Sequence, residues 1–505
     1  MNTAVDSEGF LHRFLEIVKN FPESLAINDI DNNITLTYKE LKDFSEKRKS
    51  VFTALGVKPG DKVALILPNS VEFVICYLAL VSLQVLPVII NSKLTSWETN
   101  QLLKKGQPNF IITHQEFYSE HHALLVTPDR AWQILLSDET QSFVPQEGVH
   151  HLELQPDNKS ATLTAPQGNP VVSLQFTWRG QGRPFPVAHR YLEMTHSTDG
   201  LHENFYPQGI GSVHLVTLPL YAIFGLSVML VFPLSVGATL LLTNNLLNRD
   251  LGEVLARYQV TFACLVPDVI RYFNVRLAKR KSMPVGLHPQ LMIYSGGGHL
   301  PADDADKLRQ LLGCGPVLQG YGLTESLPVV VQNIQGEQHR GAMGQAIRGA
   351  EIRVLGPNGK DVEAGRIGEL VIRGPMVAEG YYQDEEGNEL FFINGWLHTG
   401  DLVWSDAHGH LFFVCQRLRI SKIRAQMVDL KAIELVALRH PQVKRARAWV
   451  TLNKNEANAL SLSVEVADGQ LAQQELLAFM GNYLSGFKLP RQISLLPAQG
   501  GEHAE

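Results

Sequence analysis

The stretch Gln319-Gly320-Tyr321-Gly322-Leu323-Thr324-Glu325-Ser326 sets an aromatic ring, a hydroxyl and a carboxylate among glycines. Each residue type has a definite chemistry. Glycine lets the backbone come close to a bound group. The Tyr321 ring offers a flat face to a base, the Thr324 hydroxyl can donate to a phosphate, and the Glu325 carboxylate can hold a hard cation such as magnesium. The apolar run Pro316-Val317-Leu318 precedes these residues, so the pattern predicts a strand that ends in a ligand loop. The same residues also suit a polar turn after a core strand, and the rest of the chain has to decide between the two.

With 505 residues the chain exceeds one ordinary core, so two or more domains are expected. A hydrophobic content of 45% is ample for burial, and a net charge of -6 gives no sign of a nucleic-acid partner. Cys76, Cys264, Cys314 and Cys415 lie far apart with no Cys-x-x-Cys pair, which argues against zinc, against a disulfide framework and for a reducing compartment. The start, Met1-Asn2-Thr3-Ala4-Val5-Asp6, lacks a basic region followed by an apolar core, so a cytoplasmic location is expected. Two stretches imitate membrane spans. Val71 to Ile90 is interrupted by Glu72, Gln84 and Pro87 and reads as a helix running into a strand. Val213 to Thr243 carries no formal charge, but Pro219, Gly225, Pro233 and Gly237 cut it into a buried strand, helix and strand. No integral membrane segment is expected.

The elements around these residues follow from periodicity. Phe10 to Asn20 has apolar positions at helical spacing, Leu36-Thr37-Tyr38-Lys39-Glu40-Leu41 opens a second helix, and the turn Lys58 to Lys62 feeds a strand Val63 to Leu67. Strands and helices alternate to about residue 330, the pattern of an α/β sheet protein. From Gly341 to Gly380, strands Glu351 to Leu355 and Glu369 to Arg373 are separated by Gly-Pro-Asn-Gly and Gly-Arg-Ile-Gly turns, which is hairpin and barrel chemistry. From about Gln416 the composition turns basic: Arg417, Arg419, Lys422, Arg424, Lys431, Arg439, Lys444, Arg445 and Arg447 face only Asp429 and Glu434. This region is either a solvated helix face or a surface for a phosphorylated carrier.

Tyr321-Gly322-Leu323-Thr324-Glu325 resembles the Tyr-Gly-x-Thr-Glu motif of the AMP-forming adenylating enzymes, the superfamily of acyl-CoA synthetases, peptide-synthetase adenylation domains and firefly luciferases. Leu36 to Leu41, Gly60, Asp61, Val63, Asn69 and Ser70 are similar to the family's opening, Gly368 to Pro375 to a middle motif, and Gly395 to Leu402 to its most faithful one. The resemblance implies an N-terminal domain, residues 1 to 415, of two α/β sheets packed with helices plus a small β-barrel-like part. It also implies a small mobile α+β domain, 416 to 505, truncated at its end. By resemblance Asp401 binds the ribose hydroxyls, with charge-assisted bonds to both oxygens as the physical basis; without the family it reads as a turn residue. Gly297, Gly298, Tyr321, Gly322, Thr324 and Gln416 would join it at the nucleotide, Thr324 and Glu325 in catalysis, and Glu325 at the metal. Tyr221, Ala222, Phe224 and Gly225 would line the acyl pocket. ATP or AMP with magnesium, and coenzyme A or a phosphopantetheine carrier, are the implied cofactors. A small carboxylic acid, fatty or aromatic, is the implied substrate, and acyl carrier protein a possible partner.

The chain departs from the pattern at its charge-bearing groups. The family's phosphate loop, Thr-Ser-Gly-Thr-Thr-Gly-x-Pro-Lys-Gly, corresponds to Thr177-Trp178-Arg179-Gly180-Gln181-Gly182-Arg183-Pro184-Phe185-Pro186. An indole and a proline without an amide donor cannot form the same cradle, although Arg179 and Arg183 offer charge in another geometry. Ala222 stands where the family usually has histidine or an aromatic. Gln416 replaces a ribose-contacting arginine and Arg419 the hinge aspartate; one lost charge-assisted hydrogen bond costs about 1.5 to 3 kcal/mol. After Leu496-Pro497 no lysine follows where the family has its terminal catalytic lysine, and Lys488 matches a structural position upstream. The expectation is a divergent AMP-dependent acyl-activating protein with impaired adenylation. The alternatives are a pseudoenzyme that binds nucleotide, acyl adenylate or a partner protein, and an enzyme of thioester formation alone.

Overall fold

The computed structural model describes residues 9–126, 132–137, 149–151, 161–205, 208–333, 339–423, 426–451, 459–466 and 471–497. The residues after Pro497, where the resemblance would place a terminal lysine, and Arg424 lie outside them. The chain divides into a larger compact unit of Met1–Ser92, Gly106–Gln175 and Pro186–Cys415 and a smaller one of Lys93–Lys105, Phe176–Phe185 and Gln416–Glu505. The fold class read from the sequence is found: mixed α/β, with a large part of sheets and helices and a smaller C-terminal part.

Two sheets organise the larger unit. Among the described residues one has nine strands, in the order Gln345–Ala346, Leu327–Val331, Val317–Leu323, Met292–Ser295, Phe262–Cys264, Val213–Val216, Thr239–Leu242, Leu25–Asp29 and Ile34–Thr37. Its centre, from Val317–Leu323 to Leu25–Asp29, is parallel. The second has seven strands and runs parallel from Val149–His151 through Lys62–Ile66 to Val171–Trp178, with Pro184–Arg190 at its edge. Helices cover parallel strands because crossovers demand them. Leu241, Leu255, Ile270, Ile293 and Leu308 build part of the core so formed. Thr37 and Glu40 form a capping box that starts the helix Tyr38–Ala54, and the Ser70 hydroxyl caps Val71–Ser82.

Both imitations of membrane spans are broken, the first at Gln84, which takes a φ of 55°, and the second between Pro219 and Ala222 and again at Gly237, with a φ of 89°. Val71–Ser82 is a buried helix followed by the strand Leu86–Ile89. The uncharged stretch becomes the strand Val213–Val216, a helix from Ile223 to Val236, and the strand Thr239–Leu242. That helix widens to a π turn at Ser227–Val231 just before Pro233, which has no N–H to donate. Among the described residues no helix is long and apolar enough to cross a membrane. The texture change after residue 341 is an antiparallel sheet in which Glu351–Leu355 pairs with Gly368–Arg373, and that strand with Trp396–Ser405.

In the smaller unit a sheet of Val443–Thr451, Ala459–Val466 and Gln492–Pro497 packs with helices Leu430–Ala437 and Gln473–Gly481 around Val428, Ile433, Leu462, Leu476 and Met480. The helix Ser96–Gly106 adds Trp97, edge-on to Tyr483 at 5.7 Å, and Glu98, ion-paired with Lys488.

Candidate functional site

The motif strand Val317–Leu323 lies beside Met292–Ser295, both running parallel, with Ser295 opposite Gln319. Gly297 and Gly298 follow the end of one strand, and Tyr321 and Gly322 close the other. Outside the carboxyl ends of parallel strands is where ligands settle in open α/β sheets. The chain then reverses at Thr324-Glu325-Ser326, where Leu323 N–H donates to the Ser326 hydroxyl at 3.1 Å, and returns as Leu327–Val331. The predicted ligand loop is thus also a tight hairpin.

The fold itself supplies a reason for the glycines. A β-carbon on Gly320 would lie 1.8 Å from the Tyr294 hydroxyl, and one on Gly322 would lie 2.2 Å from the Leu327 carbonyl. Close packing of the protein on itself already requires them there, before any ligand is considered.

Two tyrosine–carboxylate pairs cross this hairpin. Tyr321 donates its hydroxyl to Asp401 Oδ2 at 2.6 Å, joining the Tyr321 to Glu325 motif to the Gly395 to Leu402 motif. Asp401 sits on the strand Trp396–Ser405 and is 3% exposed; its N–H donates to the Thr399 hydroxyl at 3.1 Å. Tyr381 donates to Glu325 Oε1 at 2.7 Å, and the Ala378 N–H reaches the Glu325 carbonyl at 2.8 Å. Sequence reasoning missed Tyr381 as a site residue, although it stands in the Gly380-Tyr381 signal. It also missed His189, buried with Nδ1 3.0 Å from Glu193 and Nε2 2.6 Å from the Thr324 carbonyl. His189 lies in the strand Pro184–Arg190 and Glu193 in the first turn of the helix Tyr191–Asn204, so no helical spacing links them and no local pattern marks the pair.

Phe224 reaches this edge. Its ring is edge-on to Tyr294 at 5.8 Å and lies against Gly296 and Gly297, so the acyl and nucleotide candidates are neighbours. The Tyr221 carbonyl accepts from Gln175 at 2.8 Å, the Ala222 N–H donates to the Pro219 carbonyl at 3.1 Å, and Gly225 packs against that carbonyl with no room for a β-carbon.

The phosphate-loop candidates group with the smaller unit, as does Gln416, so the structure does not gather all the candidates into one body. Thr177 is buried and Arg179 is 1% exposed. Trp178 faces the Lys488 ammonium, 4.8 Å from the ring centre, and the Arg183 guanidinium lies 4.2 Å from that of Phe185. Gly180 and Gly182 take positive φ, 75° and 78°. Their amides meet Asp429. One carboxylate oxygen accepts from Gly182 N–H at 3.0 Å, and the Gly180 amide also donates to the group. The other oxygen caps the helix Leu430–Ala437 through Lys431 N–H at 2.8 Å and Ala432 N–H at 3.1 Å. Burial pushes the Asp429 carboxyl up, against the pull of these four amides. Donors of the kind that cradle phosphate therefore hold the protein's own carboxylate. Trp97, Trp178, Pro184, Leu435, Arg439 and Lys488 border a cavity of about 180 Å³ beside them.

The basic run is dispersed. Arg419 makes a two-pronged bond to Glu434 at 2.8 and 2.6 Å, which anchors this substituted residue to the helix. Arg439 stands over Trp97 and Tyr483, 5.5 and 5.0 Å from the ring centres. Lys444, Arg445 and Arg447 are exposed on the edge strand Val443–Thr451.

Comparison with known proteins agrees with this architecture. The sequence profile of a family described as AMP-binding enzyme matches residues 14–382. Oxalate–CoA ligase from Arabidopsis thaliana is 25% identical over 97% of this chain and 95% of its own length. 4-Coumarate–CoA ligase from Pinus taeda is 26% identical over 97% and 91%. Among solved structures, a double mutant of o-succinylbenzoate CoA synthetase from Bacillus subtilis with a product analogue superimposes with a TM-score of 0.82 at 23% identity, covering 97% of this chain and 96% of that one. An amide bond synthetase from Marinactinospora thermotolerans gives 0.82 at 20% over the same shares. These structures establish the fold.

Proposed function

We propose, from the chain's membership of the AMP-binding enzyme family, that it binds a carboxylic acid as its adenylate and serves acyl activation with the adenylation step impaired. The observation that carries this reading is the Tyr321–Asp401 pair, which sets an aromatic ring and a buried carboxylate together at the carboxyl ends of parallel strands. Tyr321, Gly297, Gly298 and Gly322 would border adenosine, and Asp401 would take the ribose hydroxyls. Thr324 would face the phosphate. Glu325, whose Oε1 accepts from Tyr381, would hold magnesium, because carboxylate oxygens are the donors a hard cation uses. Magnesium supplies charge neutralisation at phosphate. Tyr221, Ala222, Phe224 and Gly225 would border a fatty or aromatic acyl group. The names of the relatives support coenzyme A as the thiol acceptor; a phosphopantetheine carrier such as acyl carrier protein is the alternative, which would meet the exposed Arg445 and Arg447.

The second reading, a pseudoenzyme that binds without reacting, is favoured by the Asp429 carboxylate on the Gly182 amide. The N-terminal and C-terminal domains, 1–415 and 416–505, are proposed as the functional division. Calorimetric titration with AMP or a non-hydrolysable acyl-adenylate analogue tests the nucleotide site. Binding that Asp401→Ala abolishes is expected. No heat and no thermal shift at millimolar ligand would refute both readings of that site, whereas binding without thiol transfer from a supplied adenylate would select the second.

A further inference from the structure

Three side chains with metal-ligating atoms converge in the larger unit outside these motifs: His339, Asp406 and His410. Asp406 opens the turn Asp406-Ala407-His408-Gly409-His410, which joins the strands Trp396–Ser405 and Leu411–Gln416. Its Oδ1 accepts from the amides of His408 and His410, both at 2.9 Å. Two amides on one oxygen orient the carboxylate and turn Oδ2 toward two imidazoles. It lies 2.9 Å from His339 Nδ1 and 3.2 Å from His410 Nδ1. The two rings stack, centroids 3.8 Å apart and planes 20° from parallel, so their Nδ1 atoms address the same oxygen. One ligating atom from each of the three residues lies within 4.8 Å of the others.

The backbone holds both arms of this cluster in place. The Ala342 N–H donates to the His339 carbonyl at 2.9 Å, while Met343 N–H to Leu411 carbonyl at 2.7 Å and Leu411 N–H to Gly344 carbonyl at 2.9 Å tie the His339 segment to the strand leaving the turn. A fourth group is close by: the exposed His408 lies on the same turn, its ring centre 5.9 Å from that of His339.

A metal with nitrogen and oxygen bonds of about 2.0 to 2.2 Å has ligand-to-ligand edges of about 2.8 to 3.6 Å between right-angled and tetrahedral arrangements. The two N···O separations already fall in that interval. Two imidazoles and one carboxylate form a borderline donor set that suits zinc and is too rich in nitrogen for magnesium or calcium. The spacing of the cysteines spoke only of thiolate ligands and has no bearing on this set. We infer that His339, Asp406 and His410 bind one zinc ion, with His408 or water as fourth ligand, and that the ion fastens the segment after His339 to the 406–410 turn.

The test uses the full chain, stripped with a chelator and titrated with zinc by calorimetry, with cobalt as a spectroscopic substitute. One equivalent of zinc, a rise in melting temperature, and a visible cobalt spectrum of four-coordinate intensity are expected, none of them matched by magnesium. Asp406→Asn keeps an oxygen for the His408 and His410 amides and replaces Oδ2 with a donor, so it should retain the turn and lower zinc affinity by at least about 100-fold. If Asp406→Asn fails to fold, His339→Gln carries the same expectation. No stoichiometric zinc in the parent chain, or unchanged affinity in folded Asp406→Asn or His339→Gln, overturns the inference and leaves a hydrogen-bonded cluster only.

Discussion

Tyr321 carries two separable properties, a ring and a hydroxyl. The hydroxyl serves Asp401, a carboxylate only 3% exposed. Removing a donor from a buried charged group costs about 1.5 to 3 kcal/mol. Tyr321→Phe should therefore lower the free energy of unfolding in urea by that amount while keeping the flat face, so that AMP affinity changes by less than about tenfold. Tyr321→Ala should lose the binding as well. Equal loss of affinity in both variants would place the hydroxyl, not the ring, at the ligand. This residue shows what the sequence could and could not convey. The motif and its strand were readable from an apolar run ending in Gly-Tyr-Gly, but the partner lies at Asp401 across a second sheet, and no local pattern reports such a contact. Gly320 and Gly322 show the converse: their residue type was informative, yet the crowding by Tyr294 and Leu327 that demands them arises only in the folded chain.

At the scale of elements, the helix Leu430–Ala437 begins on a residue with two tasks, since Asp429 caps it and also receives the loop amides. Its carboxyl lies above its ordinary value because burial outweighs the amides. An acid whose folded value exceeds its unfolded one binds its proton more tightly when folded. Its contribution to stability therefore grows as pH falls from neutral through the raised value, and is complete below the ordinary carboxylate value. Asp429→Ser should keep a helix cap, remove that acid-side gain, and release the Gly180 and Gly182 amides. Calorimetry should then detect pyrophosphate binding to Asp429→Ser at concentrations where the parent chain gives no heat. Identical pyrophosphate titrations would mean that the amides are not what limits the loop. The helices and strands of this region were legible from spacing and from the change to basic composition. The grouping of Lys93–Lys105 and Phe176–Phe185 with it was not. It rests on pairs such as Glu98 with Lys488, side chains hundreds of residues apart whose mutual burial leaves no periodic trace.

For the whole molecule, the residues that match the family fall mostly in the larger unit, and the substituted loop groups with the smaller one. Adenylation joins a carboxylate oxygen to the α-phosphorus and expels pyrophosphate, so two anions must approach under the cover of cations. In the loop, the lysine position is Phe185, fully buried and covered by Arg183. Arg179 is buried as well, and a planar guanidinium does not substitute for a flexible ammonium at a point charge. Lys488, the nearby ammonium, is paired with Glu98 and set against Trp178. Acid-dependent pyrophosphate exchange, measured with a panel of fatty and aromatic acids, should accordingly stay at background in the parent chain, while a supplied acyl adenylate is bound. Robust exchange that vanishes in Arg183→Ala would instead establish that the loop has been rebuilt around an arginine, with the Asp429 contact broken whenever ATP is present.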